Sequence, residues 1–326
     1  MSSIRTSVAR GVERITLPLE LPSPDHINCY LLALSDGGSL LVDTGMIGTA
    51  GSLPAVLEDV TPRPRVLITH GHVDHWGAAS ELTDTVLAHP GVRPSLEYAA
   101  GRRVPSPESW PAGLPAPEEM ESAFGRFRSL VGGVPDVDPI GDGDHIDGWE
   151  ILWTPGHDPG HICLYRASDG VLVTGDLLLP GFTPNIQPPM DGDGDAVAQF
   201  VSSLRRVAAL PIGLVLPAHG EPFNDAAGRA EELIAHHDRR LDDLMNLLEA
   251  GVGEVSELTE ALFAGLAASE DRMLGDLETI AHLEHLKHRG LAEPAPGGRW
   301  RALSEGRRRG STRGRGPEAH GSPGLN

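Results

Sequence analysis

Cysteine is almost absent: Cys29 and Cys163 are the only two in 326 residues. Both lie in apolar, strand-like runs, INCYLL and HICLY, where a free thiol packs as a small hydrophobe. They offer no disulfide framework, so nothing here calls for an oxidising compartment. Cations are also scarce. Lys and Arg number 26 against 46 Asp and Glu, which leaves a net charge of −20 with histidine neutral. That balance argues against an extended nucleic-acid footprint, because phosphate contacts come from Lys and Arg. Long hydrophobic runs are missing too. No stretch approaches the roughly 20 residues of a membrane span. The start, MSSIRTSVARGVERITLPL, scatters charge where a signal peptide needs an apolar core. A cytoplasmic protein without membrane contact is expected.

What is present is a mixture of short apolar runs and helical periodicity. The runs fall at residues 40–43, 65–69, 86–88, 150–153, 162–165, 171–174 and 213–216. Each has strand length and is rich in β-branched residues or Leu. Helical stripes lie between them: Leu53, Val56, Leu57 and Val60; Met120, Phe124, Phe127 and Val131; and Val197, Phe200, Val201, Leu204, Val207 and Ala208. Strands mixed with helices predict a layered α/β domain. Two Pro- and Gly-rich segments, 90–117 and 179–195, interrupt the pattern. Long irregular loops in a compact enzyme commonly wall a pocket.

The composition changes near Asn224. An amphipathic helix is expected over 230–250, with Leu233, Ile234, Leu241, Leu244, Met245 and Leu248 on one stripe. Shorter helices follow over 254–263 and 274–289. LAEPAPGGRWRAL then reads as two short strands about a Pro-Gly-Gly turn. Three helices and a hairpin outline a winged helix. The chain is expected to divide into an α/β domain, 1–228, a winged-helix-like domain, 229–303, and a disordered tail, 304–326. The tail carries Arg307, Arg308, Arg309, Arg313 and Arg315 and has no apolar periodicity.

The densest chemistry is THGHVDHWG, which contains His70, His72, Asp74 and His75. Imidazole and carboxylate crowded without partners cost free energy. Further candidates lie downstream: His161 closes TPGHDPGH, Asp176 sits in VTGDLL and His219 in LPAHGEPF. Most follow directly on a predicted strand. A catalytic zinc takes three protein ligands and leaves one position open. His70, His72 and His161 fill three positions on one ion, and Asp74, His75 and His219 three on another. Asp176 bridges, beside a bridging hydroxide, with the ions about 3.5–4 Å apart. Two dications supply the partners the crowded side chains lack. His157, Asp43 and Thr44 are expected to support the site rather than ligate. Asp25, His26, His89 and His145 read as surface or loop residues, and His236 and His237 receive no role.

The ordered set of these motifs, together with LVDTG at residues 41–45, resembles the metallo-β-lactamase superfamily. The resemblance implies an αββα sandwich with metals at one rim of two facing sheets. It implies the ligand assignments above, a supporting role for the aspartate of LVDTG, and the dinuclear hydrolase branch. The C-terminal segments resemble the winged-helix β-lactamase-like group, which includes glyoxalase II-like enzymes and endoribonucleases. The expected protein is a dinuclear hydrolase in which a metal-bridging hydroxide attacks a thioester, ester or lactone carbonyl. Asp74 and Asp176 are its catalytic carboxylates. An endoribonuclease or phosphodiesterase, or an iron-dependent redox or sulfur enzyme, is the alternative. All-N/O ligation suits Zn²⁺ foremost and also Fe or Mn. The substrate is a small or carrier-bound acyl compound, contacted by Trp110, Phe182, Asn185, Gln187 and Met190. Nucleic acid is not expected as a partner, and the C-terminal module offers a packing or homodimer surface.

Overall fold

The structure is a computed structural model that describes residues 4–19, 24–48, 53–103, 112–114, 125–189, 194–263 and 269–304. Its first sheet has seven strands in chain order: β1 (Ile4–Ala9), β2 (Val12–Pro18), β3 (His26–Ala33), β4 (Ser39–Val42), β5 (Arg65–Leu67), β6 (Thr85–Ala88) and β7 (Asp136–Pro139). The first four form an antiparallel meander and the last four pair in parallel. The second sheet runs β12-β11-β10-β9-β8, from β8 (His145–Ile146), β9 (Trp149–Trp153), β10 (Ile162–Arg166), β11 (Val171–Gly175) and β12 (Leu214–Pro217).

Side chains alternate across a strand, and here both faces are apolar. Leu40 and Val42 of β4, Leu67 of β5, Ile162 and Leu164 of β10 and Val171 and Val173 of β11 share one core, so the two sheets face each other. The alternate positions point outward. Leu41, Val66, Val86 and Ala88 join a core with Leu53, Trp76 and Leu96, from the helices α1 (Leu53–Val56), α2 (Val73–Trp76) and α3 (Arg93–Ala99). Leu152, Cys163, Leu172 and Val215 pack against Val197, Phe200 and Leu204 of α4 (Ala196–Ala208). The order is helix, sheet, sheet, helix, which explains why the strands read as continuous apolar runs. The helix expected over 53–60 is shorter, ending at Val56. The stripe expected near 120–131 lies partly outside the described residues, and its described part, Gly125–Leu130, is a 3₁₀ turn.

Four further elements follow: α5 (Ala226–Glu249), α6 (Val255–Leu262), α7 (Ser269–His288) and the hairpin β13 (Ala292–Ala295)–β14 (Arg299–Ala302). Asp225 caps α5, its carboxylate accepting the Gly228 amide at 2.8 Å. Ala226, Ala230 and Leu233 of α5 pack beneath the second sheet. Leu241, Leu244 and Leu248, further along the same helix, pack with Leu258, Ile280, Leu283 and Trp300. One helix thus belongs to both packing groups, and the boundary expected at 228/229 falls inside it. The tail from residue 305 lies outside the described residues.

The loops that carry the chemistry leave the C-terminal ends of β4, β5, β9, β11 and β12, on one rim of the sandwich. Cross-sheet hydrogen bonds lock that rim. The Asn28 amide donates to Ala218 O at 2.7 Å and the Ile162 amide to Thr69 O at 2.9 Å. Tyr30 Oη donates to Pro217 O at 2.7 Å.

Candidate metal centre

Asp43 leaves β4 with a left-handed backbone, φ 63°, an uncommon conformation that clusters at functional sites. Its buried carboxylate organises the next strand end. Oδ1 accepts the Thr69 amide at 2.7 Å, and Oδ2 accepts the Thr69 hydroxyl at 2.9 Å and His75 Nδ1 at 2.8 Å. With its Nδ1 proton so committed, His75 presents a bare Nε2. That nitrogen is buried and has no hydrogen-bond partner, as is Asp176 Oδ1. The two lie 3.6 Å apart, too far to bond each other.

The other histidines are fixed in the same way. His219 Nδ1 donates to His26 O at 2.7 Å, leaving Nε2 at 3.2 Å from Asp74 Oδ2 and 3.5 Å from Asp176 Oδ1. His157 Nδ1 donates to Asn185 O at 2.6 Å, leaving Nε2 at 3.5 Å from Asp176 Oδ2. The Thr69 hydroxyl, having donated to Asp43, accepts from His70 Nδ1 at 3.1 Å. His70 and His157 therefore bring two bare Nε2 atoms to 3.1 Å. Lone pairs so placed repel unless a cation lies between them.

Two donor groups result, each with its ligand atoms within 4.8 Å of one another: His70, His72, His157 and Asp176, and Asp74, His75 and His219. Their electrostatics differ. Burial pulls His70 well below the ordinary histidine range, lowers His72, and brings His157 down to about 4, so all three are neutral near pH 7. Burial also acts on His75 and His219, but the carboxylates prevail: Asp74, Asp43 and Asp176 hold His75 well above that range, and Asp176 and Asp74 raise His219. Without metal, that field favours a second proton on His75 and His219, at Nε2; a metal cation would take the place of that proton. The orphaned atoms, opposed lone pairs and all-N/O donor set fit divalent metal ions.

One ligand assignment from the sequence is corrected. His161 does not join the donors. Its Nε2 accepts the Asp176 amide at 3.1 Å and its Nδ1 donates to the Thr154 hydroxyl at 2.8 Å. Both nitrogens are used in bracing the end of β11. Gly175, φ 48°, allows that approach: a Cβ there would sit 2.8 Å from His161 Nε2. His157 takes the place expected of His161. Asp158 between them pins the turn, accepting Ser95 Oγ from α3 at 2.6 Å and the Gly160 amide at 2.7 Å. The Gly-His pair repeats within TPGHDPGH, so spacing alone does not separate ligand from brace.

The expected substrate contacts fare differently. Phe182 is 37% exposed, its ring centroid 6.4 Å from that of His219. Gln187 is partly buried in the same loop. The Asn185 side chain turns away, donating to Leu274 O at 3.2 Å and Glu278 Oε2 at 3.0 Å on α7; its backbone carbonyl faces the site. Trp110 and Met190 lie outside the described residues. His26, read as a loop residue, is the backbone acceptor for His219.

The family model of the metallo-beta-lactamase superfamily matches residues 22–219, well over half of the chain. The chain belongs to that superfamily, and with the donor groups just described it is a metal-dependent hydrolase. It is 26% identical over 296 residues to the Bacillus subtilis (strain 168) protein named "Probable metallo-hydrolase YqjP", covering 83% of this chain and 92% of that one. Among solved structures, a metallo-beta-lactamase family protein from Thermus thermophilus is 28% identical with a TM-score of 0.75, over 91% of this chain and 100% of that one. A beta-lactamase domain protein from Burkholderia ambifaria is 28% identical with a TM-score of 0.77, over 92% and 94%. Both likenesses extend well past residue 219. No helix among the described residues is long and apolar enough to cross a membrane.

Proposed function

We propose that this protein is a dinuclear hydrolase of a thioester, ester or lactone carbonyl, working in the cytoplasm. The observation that carries the reading is the shared position of Asp176. Its Oδ2 lies 3.5 Å from His157 Nε2 and its Oδ1 3.6 Å from His75 Nε2, so each oxygen faces one donor group. His70, His72 and His157 would hold one ion, Asp74, His75 and His219 the other, and Asp176 both. Zinc suits these donors, as do iron and manganese. Bound divalent ions supply an activated water near neutral pH and stabilise developing oxyanion charge.

The chain's own residues do the rest. Asp74, beside His219 Nε2, is placed to accept a proton from the attacking water and to orient it. Asp43, His26 O and Asn185 O hold His75, His219 and His157 in the tautomers that leave Nε2 bare. Phe182 offers an exposed aromatic face beside His219 for the acyl chain. Residues 229–303 act as a winged-helix-like module that packs against the catalytic domain. The charge of −20 favours an acyl substrate over a polyphosphate backbone.

The test is metal analysis of the purified protein, followed by a hydrolysis screen of acyl-CoA, acyl-glutathione and carrier-bound thioesters, lactones, bis(p-nitrophenyl) phosphate and short RNA. Two ions per chain and thioester or lactone turnover abolished in Asp176→Asn are expected. Turnover confined to the phosphodiesters would replace the acyl reading with the nuclease one.

A further inference from the structure

We propose that the C-terminal helices set the geometry of the first donor group, with Glu278 and Arg240 acting through Asn185 as positioning residues for His157. The inference rests on the dinuclear reading. It begins with the acceptor for His157 Nδ1, which is the backbone carbonyl of Asn185 at 2.6 Å. A backbone acceptor is only as well placed as its loop. Residues 179–189 make no backbone–backbone hydrogen bond with described residues. Side-chain hydrogen bonds to α5 and α7 hold the loop instead.

Four such contacts are present. Arg229 Nε donates to Leu179 O at 2.8 Å and its Nη2 to Phe182 O at 2.7 Å. Asn185 Nδ2 donates to Leu274 O at 3.2 Å and Glu278 Oε2 at 3.0 Å. Glu278 is held in turn, its Oε1 accepting Arg240 Nη1 at 2.8 Å. The Arg240 guanidinium lies over the Phe263 ring at 3.8 Å. Glu278 is 6% exposed and His157 is 6% exposed, so bulk water does not readily replace a lost partner.

The consequence is directional. Arg240 fixes Glu278, Glu278 fixes the Asn185 side chain, and the side chain fixes the carbonyl that keeps His157 Nε2 bare and aimed at Asp176. Partners one step behind a ligand typically govern about 10–100-fold of metal affinity. The relay touches His157 alone among the donors. The second group has separate supports, Asp43 for His75 and His26 O for His219. Breaking the relay should weaken one ion and spare the other.

The test uses the full chain, stripped of metal and titrated with Zn²⁺ by calorimetry and with Co²⁺ by absorption. Two variants are compared with the wild type. Asn185→Leu removes both side-chain donations at similar volume. The pair Glu278→Leu with Arg240→Leu removes both charges together, so neither remains buried alone. The expected result is a 10–100-fold loss of affinity for one ion, with the other within about threefold and one cobalt band altered. Wild-type affinity for both ions in both variants overturns the proposal. So does equal weakening of both ions in step with a lower Tm, which marks a general loss of structure. If the wild type takes up a single ion, the dinuclear reading falls, and the inference is then decided by whether the variants weaken that ion.

Discussion

Replacing His157 and His161 one at a time separates ligand from brace. His157→Ala removes an Nε2 that faces Asp176, so one ion and at least about 100-fold of turnover should be lost. His161→Gln removes a group bonded to the Asp176 amide and the Thr154 hydroxyl. It should keep both ions and cost about 1–3 kcal/mol of stability, the usual range for a disturbed buried hydrogen bond. Elemental analysis and urea unfolding of both variants check this, and loss of metal from His161→Gln alone would reverse the assignment. Asp43→Asn tests the second donor group. Asn tolerates the left-handed backbone, but its amide can donate to His75 Nδ1 and push that proton onto Nε2. Affinity for the second ion, whose His75 Asp43 holds directly, should fall about 10–100-fold, and that for the first, which Asp43 reaches only through Thr69 and His70, should fall less, as measured by stepwise metal titration of the apoprotein.

The helical element at the C-terminus carries its own pH dependence. His282 Nδ1 donates to Glu278 O at 2.7 Å, so its Nε2 accepts from His237 Nδ1 at 3.0 Å. His237 Nε2 is left buried without a partner. Burial lowers His237 to about 2 and His282 to about 3, while it raises the Glu278 carboxyl to about 7 against the opposing pull of Arg240 and Asn185. The signs follow by linkage. Below about 6.5, the ordinary histidine value, the unfolded chain takes up two protons that the folded histidines refuse, so stability falls as pH falls. Glu278 works the other way: its folded form takes a proton first, so stability rises as pH drops from about 7 toward its ordinary value. Two histidines outweigh one carboxyl, and the net slope from these three groups is shallow at 6.5 and reaches about 1.4 kcal/mol per pH unit about one pH unit lower. Urea unfolding of the metal-free protein at pH 7.5 and 5.0 should show this loss. The pair His237→Leu with His282→Leu should make that slope shallower, the buried histidines of the rim supplying the remainder; an unchanged slope would show that His237 and His282 are protonated in the fold.

At the scale of the whole molecule, charge decides what approaches the rim. A chain of net charge −20 repels a polyphosphate backbone at long range, and the repulsion weakens only with salt. Helix α7 adds no compensating face: Lys287 is paired with Glu284 at 2.7 Å. We expect no metal-dependent cleavage of labelled single-stranded RNA at physiological salt, with or without residues 304–326. Cleavage that disappears in Asp176→Asn would overturn this and make the protein a nuclease.

Much of this protein was legible before any coordinates. Leu41, Val66, Val86, Leu152, Cys163, Leu172 and Val215 lie in apolar runs too short for helices, and each is a strand buried on both faces. Strands β1 and β2 escape detection because polar residues interrupt them, as Arg14 and Thr16 do in β2, whereas β3 is visible as the strand-like run INCYLL. Of the donors, His70, His72, Asp74, His75, Asp176 and His219 are visible as motifs at strand ends. His157 is not, because two histidines share one motif and local chemistry does not rank them. Only packing does so: β11 brings the Asp176 amide onto His161, and the loop held by α5 and α7 brings the Asn185 carbonyl onto His157. Side-chain type is a local property, which a sequence states directly. Which nitrogen stays bare depends on hydrogen-bond partners 28 residues away for His157 and 32 for His75, and only the folded chain brings those together.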